Sequence, residues 1–240
     1  VMERFLVRLC QSKYHTNFIL KGGILLARYI HIGRETKDLD FSLLNLKNDV
    51  QTLHEVFEDI ISHKVNDGFE FRNLKIEPLD HFHTYYPGAT IRIDVGFGKS
   101  RISLFIDVAF GDHVQVKEET LSLVANSAGP LFESDIKVNC YPIEFIFAEK
   151  LETVVYRGAS NSRMKDFHDL WTMINGKDVL DVKATLGAVE AVFRHRKTEL
   201  KLPLHFDEAS MQLLQKSWQR YKPSLGVSDH LPQEISEVIA

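Results

Sequence analysis

Apolar residues recur along this chain with two periods, and the dominant period changes once. Over residues 2–13, Phe5, Leu6, Leu9 and Cys10 fall on one side of a helix. Residues 17–20 read as a short strand running into Lys21-Gly22-Gly23, and residues 24–30 as a compact apolar helix closed by Gly33. Residues 38–44 alternate as a strand does. Residues 49–65 return to helical spacing through Leu53, Val56, Phe57, Ile60 and Ile61. Three β-rich runs follow, 69–78, 89–97 and 101–110, the last two joined by a hairpin turn at residues 96–100. Residues 121–124 and 136–140 are lesser strands. Beyond Pro142 the pattern is helical: 143–157, 164–175, 180–196 and 207–220, with Asp207 placed to cap the last. The tail after Pro223 is polar and punctuated by Pro and Gly, which predicts a loosely held end.

The expected fold is therefore α+β, a mixed sheet with helices over residues 1–141 followed by a helical domain over 142–240. A chain of 240 residues has room for both. The net charge of -4 gives no global nucleic-acid footprint, so any RNA contact needs a local basic patch. The two cysteines, Cys10 and Cys140, sit far apart without metal-ligand spacing, which fits a reducing compartment. No apolar run reaches membrane-spanning length and no signal-peptide pattern opens the chain, so a cytoplasmic protein is expected.

Candidate chemistry concentrates between residues 21 and 41. Asp38 and Asp40 alternate with Leu39 and Phe41, so both carboxylates leave the strand on one face while the apolar pair enters the core. Two anions side by side repel, and a divalent cation compensates them; Mg²⁺ is commonly held by one or two carboxylates plus substrate phosphates. A third acid, Asp107, sits inside another apolar strand, where a lone carboxylate is costly unless paired or metal-bound. Asp94 has the same look, and the sequence does not rank the two; Arg92 shares its face and offers a structural ion pair. Upstream, Lys21, Gly22 and Gly23 stand at the mouth of a helix whose first amides can meet phosphate. Arg34 and Thr36 lie in the loop before the acids, within reach of phosphate or ribose.

A second cluster lies in the helical half: Glu144, Glu149, Lys150, Arg157, Arg163, Lys165, Asp166 and Asp169. Lys150 sits among apolar neighbours, which points it toward a cleft. Asp166 and Asp169 are three apart, on one helical face. The basic members suit a triphosphate, with an acid to orient them or to assist proton removal; interhelical salt bridges are the competing reading. His81 and His83 form an isolated H-x-H. Residues 194–197, Arg-His-Arg-Lys, are a basic run at a helix end.

Taken in order, Lys21-Gly22-Gly23, Arg34-x-Thr36-x-Asp38-Leu39-Asp40-Phe41, Ile106-Asp107-Val108, Glu144-x-x-x-Ala148-Glu149-Lys150-Leu151 and Arg163-x-Lys165-Asp166-x-x-Asp169-Leu170 resemble the motifs of the AbiEii/AbiGii toxin family. The resemblance runs from about residue 20 to residue 171. It implies a polymerase-β-type nucleotidyltransferase core followed by a helical domain, an NTP substrate, Mg²⁺ (or Mn²⁺) as cofactor, and a cognate antitoxin. Some relatives add nucleotides to tRNA 3′ ends, which makes RNA, tRNA first, the implied acceptor. Carried over by position, Gly22 and Gly23 match the glycine motif and Asp38 and Asp40 the metal pair, with Asp107 as third ligand. Lys150 matches the lysine near the triphosphate, and Asp166 the last-motif acid that assists catalysis, with Asp169 its partner. Lys21, Arg34, Thr36 and Lys165 complete the expected nucleotide-binding set. Where many nucleotidyltransferases carry Gly-Ser, this chain has Gly22-Gly23, so the serine contact to phosphate is missing. A monomer is expected. Two rival functions keep the fold: a non-catalytic nucleotide-binding regulatory module, and a kinase-like phosphotransferase acting on protein.

Overall fold

A computed structural model describes residues 1–79, 88–111, 115–200, 203–226 and 230–239. The elements in order are α1 (Met2–Gln11), β1 (Phe18–Lys21), α2 (Gly22–Tyr29), β2 (Asp38–Leu43), α3 (Val50–Ser62), β3 (Phe69–Leu79), β4 (Gly88–Phe97), β5 (Ser100–Phe110), β6 (Lys117–Ser122), β7 (Ala125–Asn126), β8 (Gly129–Pro130) and β9 (Asp135–Cys140). The helices α4 (Ile143–Arg157), α5 (Met164–Asn175), α6 (Val182–Arg196), α7 (Glu208–Tyr221) and α8 (Ile235–Ile239) follow. The chain forms two compact units. One comprises Val1–Leu25 and Lys37–Tyr141, the other Leu26–Thr36 and Pro142–Ala240.

The first unit is built on a seven-stranded sheet of order β3-β4-β5-β2-β1-β9-β6. It is mixed: β2 runs parallel to β5 and β1 parallel to β9, while the other pairs are antiparallel. Alternation along the strands sorts the two faces. Leu39, Phe41 and Leu43 of β2, Ile91, Ile93 and Val95 of β4, and Leu104, Ile106 and Val108 of β5 are all buried. Phe41 meets Phe5 of α1 and Phe18 of β1, and Phe18 in turn meets Phe57 of α3, at centroid separations of 5.3–6.4 Å. Each such ring, taken from water, contributes about 1.5–3 kcal/mol. Asp49 caps α3 by accepting the Thr52 amide.

One buried feature of this unit is not visible in the hydrophobic pattern. Arg4 and Arg8, on the face of α1 that also carries the core residues, are buried and converge on buried Asp67: Arg4 Nε at 2.7 Å, Arg8 Nη1 at 2.8 Å. Burial would raise the Asp67 carboxyl, but the two guanidinium groups win and hold it down at about 2.

The second unit is helical. Trp218 and Leu214 of α7 are buried, as are Val189, Val192 and Phe193 of α6. Glu152, fully buried on α4, accepts from Arg196 Nη1 at 2.8 Å and from Thr198 Oγ1. The basic run at residues 194–197 is thus not simply a solvated helix end, because Arg196 is spent on Glu149 and Glu152. The C-terminal tail also departs from expectation. Trp218 Nε1 donates to Pro232 O at 3.0 Å, Lys222 Nζ donates to the carbonyls of Leu231 and Pro232, and Ile235 is buried. A polar, Pro-punctuated sequence does not reveal carbonyls that serve as partners for a buried lysine. Residues 26–36, expected in the first region, group with the second unit, where Arg34 pairs with buried Asp169.

Candidate active site

The acids are placed by strand register. Asp40 of β2 stands opposite Asp107 of β5, and Asp38 opposite Phe105, across the parallel β2–β5 pair. Lys21 of β1 is opposite Asp40, and Thr90 of β4 opposite Asp107. Lys21, Asp40, Asp107 and Thr90 therefore form one row across four neighbouring strands, on the face turned away from Leu39, Phe41 and Ile106. Neighbouring strands lie about 4.8 Å apart, so Asp40 and Asp107 are immediate neighbours of like charge. Thr90 Oγ1 donates to Asp107 Oδ1 at 2.6 Å and fixes that carboxylate. Lys21 Nζ lies 5.2 Å from the centroid of the Tyr141 ring.

Gly22 makes this row possible. It has φ +69°, in the left-handed region, and turns β1 into α2 with no intervening loop. A Cβ on Gly22 would sit 1.9 Å from Asp40 Oδ2 and 2.4 Å from Asp40 Cγ. The Asp40 carboxylate occupies the space a side chain would need. Any residue but glycine would have to push the acid out of the row.

Asp94 is resolved from Asp107 by topology. It lies on β4, opposite Ser103, with β5 between it and β2. Ser103 is four residues from Asp107, about 13 Å along the strand. Asp94 accepts from Asn73 Nδ2 and Ser103 Oγ at 3.2 Å each and pairs with Arg92 at 3.6 Å. These hydrogen bonds hold its carboxyl below the usual range. It is the structural ion pair that its Arg92 neighbour suggests.

The donor set on β2 and β5 fits a divalent cation. Asp40 and Asp107 are side by side, and Asp38 stands two residues along the same face. Among the described residues no three His, Cys, Asp or Glu side chains close into a ready-made metal cage. An ion here would take the rest of its shell from water and phosphate, as Mg²⁺ does.

The second unit carries a buried ionic cluster. Asp169 is fully buried on α5 and is gripped by Arg34 through two bonds, Nε to Oδ1 at 2.8 Å and Nη2 to Oδ2 at 2.6 Å. Lys150 of α4 reaches Asp169 at 2.7 Å and Asp166 at 3.0 Å; Arg163 Nε closes on Asp166 Oδ2 at 3.1 Å. Burial would raise the Asp169 carboxyl, but Lys150 and Arg34 hold it below the usual range. Burial would likewise lower the Lys150 ammonium, and Asp166 and Asp169 raise it instead. Among the described residues, three cations, Arg34, Lys150 and Arg163, meet on the two carboxylates Asp166 and Asp169.

Sequence and structure agree that these charges gather, and the structure shows which of them pair. The Arg34 fork, expected to reach phosphate or ribose, is taken by Asp169. Both oxygens of Asp166 accept from cations, one from Lys150 and the other from Arg163. Lys165 is exposed and Thr36 half-buried. The H-x-H at His81 and His83 lies outside the described residues. That Thr90 and Lys21 stand in register with the acids is not legible in the sequence, because strand pairing is non-local. His168, fully buried on α5, is also new: Nδ1 bonds the Tyr221 hydroxyl at 2.8 Å, Nε2 has no partner among the described residues, and burial pulls its pKa down to about 4.

Two solved structures from Helicobacter pylori are similar to this chain over most of their length. One is JHP933, at 15% identity and TM-score 0.46, covering 93% of this chain and 90% of that one. The other, described as a candidate nucleotidyltransferase, has 14% identity and TM-score 0.48, with 93% and 92% covered. No curated protein matches the chain. The family profile described as the nucleotidyl transferase AbiEii toxin of type IV toxin–antitoxin systems matches residues 4–238. With that match spanning nearly the whole sequence, the chain belongs to the AbiEii nucleotidyltransferase toxin family.

Proposed function

We propose that this protein is a magnesium-dependent nucleotidyltransferase that moves NMP from an NTP onto an RNA 3′ end, with tRNA as the acceptor. In this reading the transfer is the toxic activity, and a cognate antitoxin restrains it in the cytoplasm. One observation carries the reading: Gly22 leaves room for the Asp40 carboxylate beside a helix N-terminus and in register with Asp107. A phosphate-facing turn and two adjacent anions have little structural purpose together, since the anions only repel unless a cation and a phosphate join them.

Asp40 and Asp107, with Asp38, would hold the Mg²⁺ or Mn²⁺ ion. When bound, such an ion neutralises phosphate oxygens and polarises the phosphorus that is attacked. The Gly22 and Gly23 amides at the start of α2 bind triphosphate oxygens, favoured by the helix dipole. Lys21 adds a cation to the same row. Within the second unit, Asp166 and Asp169 hold Lys150 in place as a charged ammonium. The acceptor hydroxyl forms a new P–O bond at the α-phosphorus while the bond to the β-phosphate oxygen breaks, and pyrophosphate leaves. Thr90 holds one oxygen of Asp107; the other takes the hydroxyl proton. Positioning and charge neutralisation supply most of the rate.

The leaving group tests this against phosphoryl transfer. With γ-labelled NTP and RNA, label should appear in pyrophosphate and disappear with Asp38→Ala/Asp40→Ala. Label in a protein, with nucleoside diphosphate released, would overturn the reading.

A further inference from the structure

The sheet face that carries the acids does not stop at Asp107. Along β5, away from Asp107, the residues on this face are Phe105, Ser103 and Arg101; the register partners on β4 are Arg92, Asp94 and Gly96. Beyond them β3 contributes Lys75 opposite Arg92 and Arg72 opposite Asp94. A cavity of about 340 Å³ opens here, lined by Arg72, Arg92, Arg101 and Ser103 among others. It is in the size range of a ligand site, and three of its walls are guanidinium groups.

The charge on this face is excess positive where it is free to act. Arg72, Lys75, Arg92 and Arg101 face Glu70, Glu77 and Asp94. Arg72 is paired with Glu70 and Arg92 with Asp94, but both pairs are largely exposed, and such pairs yield readily to a phosphate. Among the described residues no carboxylate lies within ion-pair distance of Arg101, and Lys75 has only a longer-range attraction to Asp94. Arg101 donates only to the carbonyls of Gly98 and Ser100 and lies across Gly96, where a Cβ would be 3.0 Å from its Nη1. The Arg101 side chain thus runs over Gly96, a tight but adjustable contact.

An aromatic ring stands between the two features. Phe105 is 40% exposed, with Asp38 opposite it on one side and Arg92 on the other, the Arg92 guanidinium 6.0 Å from its ring centroid. A large apolar ring left partly exposed between a carboxylate row and an arginine groove is not part of the buried core. It is placed to stack a base.

We propose that the β3–β4–β5 face is a single-stranded RNA track. Arg72, Lys75, Arg92 and Arg101 take backbone phosphates and Phe105 stacks a base one register row from Asp40 and Asp107. This rests on the nucleotidyltransferase reading for its direction: the 3′ end points toward the acids. Arg101 is six residues from Asp107, about 20 Å, enough for a few nucleotides. A net acidic protein needs such a local track to hold RNA at all.

Binding is read apart from chemistry, by fluorescence anisotropy of a labelled 12-nucleotide RNA in EDTA across a salt series. Arg92→Ala/Arg101→Ala should weaken binding at least tenfold and flatten the log–log salt slope by about 1.4, at roughly 0.7 for each single-strand phosphate that no longer meets an arginine. Phe105→Ala should weaken it about fivefold or more with an unchanged slope, since stacking releases no counterions. Asp38→Ala/Asp40→Ala should bind RNA at least as well as wild type while losing transfer, so failure of the chemistry and failure of the track are separate results. Arg92→Lys/Arg101→Lys, with native circular dichroism, should keep the slope. If Arg92→Ala/Arg101→Ala matches wild type in affinity and slope, or if duplex RNA binds as well as single strand and ignores Phe105→Ala, the track is wrong.

Discussion

Replacing Gly22 with alanine tests the close approach on which the acid row depends. The cost has two parts. The first is conformational: Gly22 has φ +69°, and an L-residue there costs about 1–2 kcal/mol. The second is steric, because the new Cβ would sit 1.9 Å from Asp40 Oδ2. That contact cannot be kept, so Asp40 must leave its rotamer or α2 must shift, for about 1–3 kcal/mol more. Gly22→Ala should therefore lose about 2–5 kcal/mol in the first unit. In an Asp40→Gly background, where the Asp40 side-chain atoms are gone, only the conformational part should remain. The double-mutant cycle then returns the steric part as a coupling energy. Both tryptophans, Trp171 and Trp218, lie in the second unit, so unfolding in urea is followed by circular dichroism. Hydrogen exchange at the β1–α2 turn gives the local reading. Transfer should fall by at least about two orders of magnitude in Gly22→Ala, since Asp40 is displaced even where the chain folds. Equal loss in both backgrounds would refute the steric argument. Unchanged stability and activity in Gly22→Ala would refute both.

Other perturbations read the remaining charges. Asp169→Ala leaves the positive charges of Lys150 and Arg34 buried without their carboxylate and should cost about 3–5 kcal/mol by urea unfolding of the second unit, followed by tryptophan fluorescence; a cost under about 1 kcal/mol would mean that the cluster is solvated. Acid should unfold the first unit partly through Asp67: its folded pKa, about 2, lies below the unfolded value, so its stabilisation is full above about pH 4 and falls away as pH drops toward 2. Asp67→Asn should be less stable at neutral pH and flatten that limb. His168 acts higher on the scale. Its folded pKa of about 4 is below the ordinary imidazole value, so the second unit should lose stability as pH falls from about 6.5 toward 4, and His168→Gln should remove that slope.

The sequence shows the parts of this protein that are local. Alternation of Asp38-Leu39-Asp40-Phe41 gives the strand and its two faces, and Lys21-Gly22-Gly23 marks the turn before a helix. Asp207 announces its cap and accepts the Ser210 amide as expected, while the Asp49 cap on α3 emerges only in the structure. What escapes is register and pairing at long range. Asp94 and Asp107 look alike in sequence, and only the strand order puts one beside Asp40 and the other a strand away. Arg34 lies in a loop, and nothing local shows that Asp169, 135 residues on, pairs with its fork. Arg4 and Arg8 go unmarked in the sequence for the same reason, with Asp67 far down the chain. Buried ionic groups depart from hydrophobic patterning wherever two distant segments must meet. The tail shows the reverse error: polar composition predicts looseness, and hydrogen bonds from Lys222 and Trp218 to its carbonyls tie it down.

Metal-assisted transfer of a nucleotide by the β2–β5 acids can be read on a denaturing gel after incubating the purified protein with Mg²⁺, each α-labelled NTP in turn and total bacterial RNA, beside Asp38→Ala/Asp40→Ala. Label should appear on a discrete RNA band, tRNA-sized, and vanish with EDTA and in the double variant. Label on RNA that persists in the folded double variant would contradict that role of the acids, because the carboxylates would then have no part in the chemistry.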